Sequence, residues 1–238
     1  MKVLAFETST QLAGVAVIID GHVVAEESAL RQKTHSEVIS VFTENVLKKA
    51  ALKLSEIDVF ATGQGPGSFT GIRVAANAAK SFAYSFQKPL VTVDSLTLLA
   101  AQVTDRSRPV LSIINAYKNM VYFGLLDIQG LIPLFTKDKN SGPTAVSVRD
   151  LNDFVKRDVS VVGDGYLDYN EYFSADLLKK LHRPHDPLDY PRASTLGIVA
   201  EQYAQLNKTL DWNSFVPLYI RASEAEESKR GILIKPLT

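Results

Sequence analysis

The sequence contains no cysteine, which excludes disulfide bonds, thiol catalysis and metal sites with cysteine ligands. It also has no excess of either charge, because 26 Lys and Arg residues balance 26 Asp and Glu residues. No overall positive field therefore attracts nucleic acid or an anionic membrane. Any contact with RNA must be local or supplied by a partner.

Long hydrophobic runs are absent from the N-terminal region. The apolar run Val3–Phe6 ends at Glu7, which is too early for the apolar part of a signal peptide or for a membrane span. We therefore expect a cytoplasmic protein with no membrane contact.

The first half of the chain predicts the order β-β-β-α-β-α-β-α. The pair Asp20-Gly21 between two β-type runs favours a tight hairpin, and Thr34-His35-Ser36-Glu37 matches a helix capping box. Predicted strands cover 3–6, 14–19, 22–29, 57–62 and 90–93, and predicted helices cover 34–52, 74–86 and a stretch that starts at 94 or 95.

The second half repeats this order more loosely, which indicates a duplicated unit. Predicted strands cover 110–115, 120–127, 131–136, 159–162 and 216–220, and predicted helices cover 147–156, 175–181 and 194–206. The pattern predicts an α/β, actin-like (ribonuclease-H-like) duplicated fold of two lobes, each with a mixed β-sheet and flanking helices. We expect an N-terminal lobe over 1–105, a C-terminal lobe over 106–238 and a cleft between them.

A glycine-rich loop from Gly63 to Arg73 joins a predicted strand to a predicted helix. It is not a Walker A loop, because no Gly-Lys-Ser/Thr follows the glycines, and Pro66 and Phe69 interrupt a dinucleotide fingerprint. Loop physics alone leaves open a simple tight turn or an anion pocket at a helix start. In an actin-like lobe this loop and the turn after the first strand would face the nucleotide. The predicted cleft-facing residues are Thr8, Ser9, Gly65, Gly67, Ser68 and Thr70.

Several segments, in order along nearly the whole chain, resemble the TsaB family, also called YeaZ. The glycine loop is the most specific of these motifs. The segments are Leu4–Thr10, Gly63–Arg73, Val93–Leu96, Val162–Gly165 and Pro217–Arg221.

The resemblance implies a non-catalytic paralogue of TsaD, the enzyme that transfers threonylcarbamoyl to the adenosine next to the anticodon of tRNA. It implies a scaffold that forms a heterodimer with TsaD and a ternary complex with TsaE, and that meets tRNA only through the complex. We expect no cofactor on this chain alone, with ATP and metal on the partners.

Two departures from the family pattern and one missing pair argue against a catalytic site. Glu7 stands where the family typically has Asp, and Asn115-Ala116-Tyr117 stands where it typically has Asp-Ala-Arg. A TsaD-like metal needs two histidines one helical turn apart, but Ile39 follows His35 at that spacing. We predict no catalytic residue and no metal site; the alternative is an independent ATP-dependent phosphotransferase or ATPase of the actin-like superfamily.

The predicted helix after the glycine loop is apolar or small nearly all round. One interpretation is a fully buried core helix. The other, which the resemblance favours, is a subunit interface shared with the preceding helix, used for TsaD or for self-association into a dimer when TsaD is absent. The predicted interface residues are Val38, Phe42, Ile72, Ala75, Ala76, Ala79, Phe82 and Ala83. The sequence leaves open the oligomeric state and the surface that meets TsaE.

Overall fold

The computed structural model of the protein describes residues 1–30, 35–128, 130, 132–138 and 141–221. The described chain forms two compact units, the first from Met1–Leu98 with Tyr190–Leu218 and the second from Leu99–Asp189 with residues 219–221. This division differs from a single boundary after residue 105. The reason is that the helix over Ala193–Gln205 packs on strands of the first unit, so the chain returns there near its end.

The first unit contains a five-stranded mixed sheet in the order β3-β2-β1-β4-β5. β1 pairs antiparallel with β2 and parallel with β4, and β4 pairs parallel with β5. The strands are β1 Lys2–Glu7, β2 Leu12–Ile19, β3 His22–Leu30, β4 Val59–Gly63 and β5 Leu90–Val93.

Helices cover both faces of this sheet because the residues of its central strands are apolar on both sides. On one face, Phe82 stacks on Phe6 and Phe60, with ring centroids 5.8 and 5.7 Å apart. On the other face, a Cβ on Gly197 would lie 2.0 Å from Ile18 Cδ1, so glycine lets the last helix approach the sheet closely. The first unit is therefore a three-layer α/β/α arrangement. Its helices are α1 His35–Lys49, α2 Phe69–Phe86 and, after the second unit, α6 Ala193–Gln205.

Most of these elements follow from local signals in the sequence, such as turn and capping residues. Asp20 and Gly21 both have positive φ, 49° and 77°, and form the predicted hairpin turn. Helix α2 begins at Phe69 instead of 74, because the Ser68 hydroxyl accepts the Gly71 N–H and caps it. The predicted cap at Thr34 lies outside the described residues.

The second unit repeats the strand pairing of the first. In its sheet, of order β11-β10-β6-β7-β8 with β9 also on β7, β6 pairs antiparallel with β7 and parallel with β10, and β10 pairs parallel with β11. The strands are β6 Val110–Asn115, β7 Met120–Asp127, β8 Leu134–Phe135, β9 Thr144–Ser147, β10 Val159–Val162 and β11 Leu181–His182. The helices of the chain between β5 and α6 are α3 Ser95–Ala101, α4 Asp164–Tyr169 and α5 Ala175–Lys180.

The repeated pairing confirms the predicted α/β, actin-like duplicated fold with two mixed sheets and flanking helices. Local predictions were less accurate in the second half. The predicted strand over 216–220 is wrong: this stretch forms no strand, and Val216 is 74% exposed. The predicted helix over 147–156 is a 3₁₀ segment over Val148–Asp153. Within the described residues, no helix is both long and apolar enough to span a bilayer.

Candidate functional site

The turn after β1 is the first place where the actin-like fold could bind a nucleotide. Its four residues, Glu7 to Thr10, are between 0% and 5% exposed. The Ser9 N–H donates to Glu7 Oε1 at 2.7 Å, and the Thr8 hydroxyl donates to the Gly71 carbonyl at 2.6 Å. The turn is therefore closed by its own bonds and by the start of α2.

The glycine loop explains that closure, because its glycines meet the turn at distances that no side chain permits. A Cβ on Gly67 would lie 2.1 Å from the Ser9 carbonyl oxygen, and one on Gly71 would lie 1.9 Å from the Thr8 carbonyl oxygen. The Ser68 N–H donates to the Ser9 carbonyl at 2.7 Å. The glycines thus allow close contact between the glycine loop and the turn after β1, two segments of the same unit.

This contact changes the interpretation of the predicted cleft-facing residues. Thr8, Ser9 and Gly65 are buried, Gly67 and Ser68 are half-buried, and Thr70 is exposed. The Ser9 hydroxyl accepts the Ser95 hydroxyl at 2.9 Å. The hydroxyl groups of Thr8 and Ser9 therefore form hydrogen bonds inside the unit.

Glu7 is a fully buried carboxyl group below the loop. A Cβ on Gly63 would lie 2.0 Å from its Oε2, and that oxygen has no hydrogen-bond partner within the described structure. Burial raises the pKa of Glu7 from 4.5 to about 7, against the lowering effect of the hydrogen bonds from Ser9 and Thr8. Below about pH 7 this group is mostly a neutral acid, which is a poor metal ligand.

The fit of a metal ion can be tested directly. Across the described ranges, no group of three or more His, Cys, Asp or Glu side chains could hold one. The turn that would organise metal-bound phosphates in this fold is occupied by the glycine loop. The residues present therefore do not fit a metal–nucleotide site at this turn.

The predicted interface residues divide into two groups. The Phe82 ring packs on the sheet, while Val38 and Phe42 are half-buried on α1. The other five are at most 3% exposed and belong to the core of the first unit: Ile72, Ala75, Ala76, Ala79 and Ala83. The alternative of a buried core helix is therefore right for these five side chains, because α2 covers the central strands β1 and β4 with its small face.

The outward faces of the same two helices remain exposed. Val41 of α1 is 54% exposed and Tyr84 of α2 is 56% exposed, while Asn77 and Ser81 of α2 are also exposed. The predicted interface set does not include these residues. Val41 had a recognisable signal, since an apolar residue three positions after Val38 lies on the same helix face.

In the second unit, the departure from the family pattern at Asn115-Ala116-Tyr117 lies beside a buried acid. The Asn115 N–H donates to Asp164 Oδ1 at 2.9 Å, and Asn115 Oδ1 accepts the Tyr117 N–H at 2.7 Å. The pKa of Asp164 is raised to about 7, mainly by burial and also by the neighbouring Asp168 and Asp189, against the lowering effect of the Asn115 hydrogen bond. An amide at 115 thus avoids a further negative charge beside these carboxyl groups. No local pattern in the sequence signalled this cluster, because Asn115 and Asp164 are 49 positions apart.

Comparison with known proteins gives consistent matches. Residues 22–229 match the profile of the family described as TsaD, tRNA N6-adenosine threonylcarbamoyltransferase. The chain is 27% identical to the tRNA threonylcarbamoyladenosine biosynthesis protein TsaB of Bacillus subtilis, over 95% of this chain and 96% of that protein. It is 34% identical to TsaB of Haemophilus influenzae over 125 residues, so it spans about half, 52%, of that relative. The solved structure of YeaZ from Pseudomonas aeruginosa is similar with a TM-score of 0.75 and 25% identity, over 92% of this chain and 99% of that chain.

Proposed function

The chain belongs to the TsaD family and within it to the TsaB (YeaZ) group, and we propose that it is a non-catalytic scaffold subunit in the biosynthesis of threonylcarbamoyladenosine in tRNA. As a scaffold it binds TsaD, and the pair supports transfer of threonylcarbamoyl to the adenosine next to the anticodon. TsaE joins as the third protein, and tRNA is reached through the complex.

One observation carries the proposal of catalytic silence: the turn after β1 is filled by the glycine loop. The carbonyls of Thr8 and Ser9 lie where a Cβ on Gly71 or Gly67 would have to be, so no phosphate group fits between the two segments. Burial favours the neutral form of Glu7, which weakens this group as a ligand for a metal ion. This supports a chain that binds no cofactor by itself and leaves ATP and metal to its partners.

The proposed TsaD-binding surface is the outward side of α1 and α2. A contact surface needs apolar side chains that water can reach in the free protein, and Val41 and Tyr84 meet that condition. The half-buried Val38 and Phe42 border the same helix face of α1. When TsaD is absent, the same surface is available for self-association.

The test is copurification with TsaD from the same cell. Val41→Arg places a charge in the proposed interface and should reduce the amount of bound TsaD by at least about tenfold, because an unpaired charge in an interface costs several kcal/mol. Val24→Arg is the matched control, since Val24 is 43% exposed on strand β3 of the same unit. It should bind TsaD as the parent protein does.

Two results would count against the proposal. Equal TsaD binding by Val41→Arg and Val24→Arg would remove the interface from α1. Hydrolysis of ATP by the purified chain alone, lost in Ser68→Ala, would favour the independent ATPase instead. A tRNA modification assay with TsaD and TsaE, with and without this chain, measures the function itself.

A further inference from the structure

The hairpin between β6 and β7 has an unusual backbone. Three consecutive residues, none of them glycine, have left-handed conformations: Tyr117 with φ 57°, Lys118 with φ 52° and Asn119 with φ 61°. Of these three residue types, only asparagine adopts the left-handed region with any ease, and a bulky aromatic residue is uncommon there. Such a backbone persists only where surrounding contacts hold it, and these positions concentrate at functional sites.

The contacts that hold the hairpin come from two sides. Asn115 Oδ1 accepts the Tyr117 N–H at 2.7 Å and the Tyr169 hydroxyl at 3.2 Å, and the Asn115 side-chain amide donates to Asp168. On the other side, the Arg221 guanidinium donates to the carbonyls of Ala116 and Tyr117, at 2.6 and 3.3 Å. The tip is therefore a rigid support.

The group that this support presents is the Tyr117 side chain. It is 58% exposed, so the fold gains little from burying it. An asparagine or glycine would fit the backbone better, so packing does not explain a tyrosine here.

Three basic residues lie near this position. Lys118 follows it, Arg221 lies against its carbonyl, and the Val148 N–H donates to the Asn119 carbonyl at 3.0 Å, which brings Arg149 to the same end of the sheet. The Asp168 carboxylate on the other side of the hairpin accepts a hydrogen bond from the Asn115 side chain.

We propose that the β6–β7 hairpin tip is a stacking site for an unpaired base of single-stranded RNA. The Tyr117 ring stacks on the base, and Lys118, Arg149 and Arg221 lie near the adjacent phosphates. An exposed aromatic ring flanked by cations is the chemistry with which proteins bind single strands without reading sequence. The inference rests on the proposed function in taking RNA as the ligand, and it adds a direct contact by this chain.

The experiment uses the full chain and a fluorescein-labelled single-stranded oligouridine, with binding followed by fluorescence anisotropy at low ionic strength. Tyr117→Asn removes the ring while suiting the left-handed backbone, and it should weaken binding about 5-fold to 100-fold. Tyr117→Phe keeps the ring and should stay within about twofold. Tyr172→Asn is the matched control, since Tyr172 is 50% exposed in the same unit, and it should bind as the parent does.

Any of several outcomes overturns the inference: no binding by the parent chain, equal binding by Tyr117→Asn, an equal loss in Tyr172→Asn, or duplex RNA bound as tightly as the single strand. Loss of TsaD binding in Tyr117→Asn with RNA binding unchanged would make the tip a protein-docking surface, which also overturns it. Failure of the proposed function is distinguishable, because TsaD copurification by the parent chain is measured separately. Thermal unfolding of each variant verifies that the fold is kept.

Discussion

At the scale of single residues, Glu7 shows how a surrounding structure decides what a side chain can do. A carboxylate after the first strand suggests a ligand for metal-bound phosphate in this fold. Here the carboxyl is enclosed by its own turn and by Gly63, with one oxygen left without a partner. Desolvation disfavours its charged form, so it is better described as a buried acid of the core.

Glu7→Gln tests this description through the pH dependence of stability. The pKa of Glu7 is raised from 4.5 to about 7, so the folded state holds a proton that the unfolded state has released between these values. Stability contributed by the neutral acid is therefore lost as pH rises from about 4.5 to 7, by on the order of 3 kcal/mol. Urea unfolding at pH 4.5 and pH 8 should show Glu7→Gln gaining stability relative to the parent at the higher pH.

Glu44→Gln is the control, because Glu44 is exposed on α1. Its stability relative to the parent should be the same at both pH values. The same stability difference between Glu7→Gln and the parent at pH 4.5 and pH 8 would contradict a raised pKa.

At the scale of elements, α2 has two faces with different roles. Its alanine-rich face fills the space above β1 and β4, where small side chains let the helix approach the sheet. Its outward face carries Asn77, Ser81 and Tyr84. A helix whose apolar residues extend nearly all round does not reveal from sequence which stripe is inward.

The pair Ala79→Arg and Asn77→Arg separates these faces. Ala79 is 0% exposed, so arginine there buries an unpaired charge and should destabilise the fold by at least about 3 kcal/mol. Asn77→Arg, two residues earlier on the exposed face, should change stability by less than about 0.5 kcal/mol. Chemical unfolding of both variants measures this, and a stable, cooperatively folded Ala79→Arg would show that the stripe is not core.

At the scale of the whole molecule, two separate stretches of the chain, Met1–Leu98 and Tyr190–Leu218, form the first unit. Helix α6 covers the face of the sheet opposite α1 and α2, and the Glu26 carboxylate accepts the Ser194 N–H at 3.0 Å. Farther on, the Leu218 N–H donates to the Gln64 carbonyl at 2.8 Å, within the glycine loop. The first unit is thus incomplete without the chain from 190 to 218.

Two fragments test this completeness. Residues 1–98 alone expose the α6-facing side of the sheet, so we expect an aggregating or unfolded fragment. Residues 1–98 joined to 190–218 by a flexible Gly-Ser linker should fold with a cooperative thermal transition seen by circular dichroism. Cooperative folding of 1–98 alone would mean that α6 is dispensable to the unit.

The sequence alone determined the duplicated α/β fold, because hydrophobic periodicity, the Asp20-Gly21 turn and the order of elements are local signals that each half repeats. It also determined the family, through motifs such as the glycine loop. Short elements were less predictable: Ser147 caps only a 3₁₀ segment, and the β-type run at 216–220 forms no strand.

Only the tertiary structure decided what the glycine loop does and which residues can face a partner or a ligand. The loop's glycines are required by carbonyl groups of Thr8 and Ser9, more than fifty positions earlier, and Asn115 meets Asp164 across a similar distance. Contacts between residues so far apart leave no periodic pattern in the chain. Close packing decides which groups these contacts bring together. It places a buried acid and a closed turn where the glycine-rich composition of the loop alone suggested a phosphate pocket.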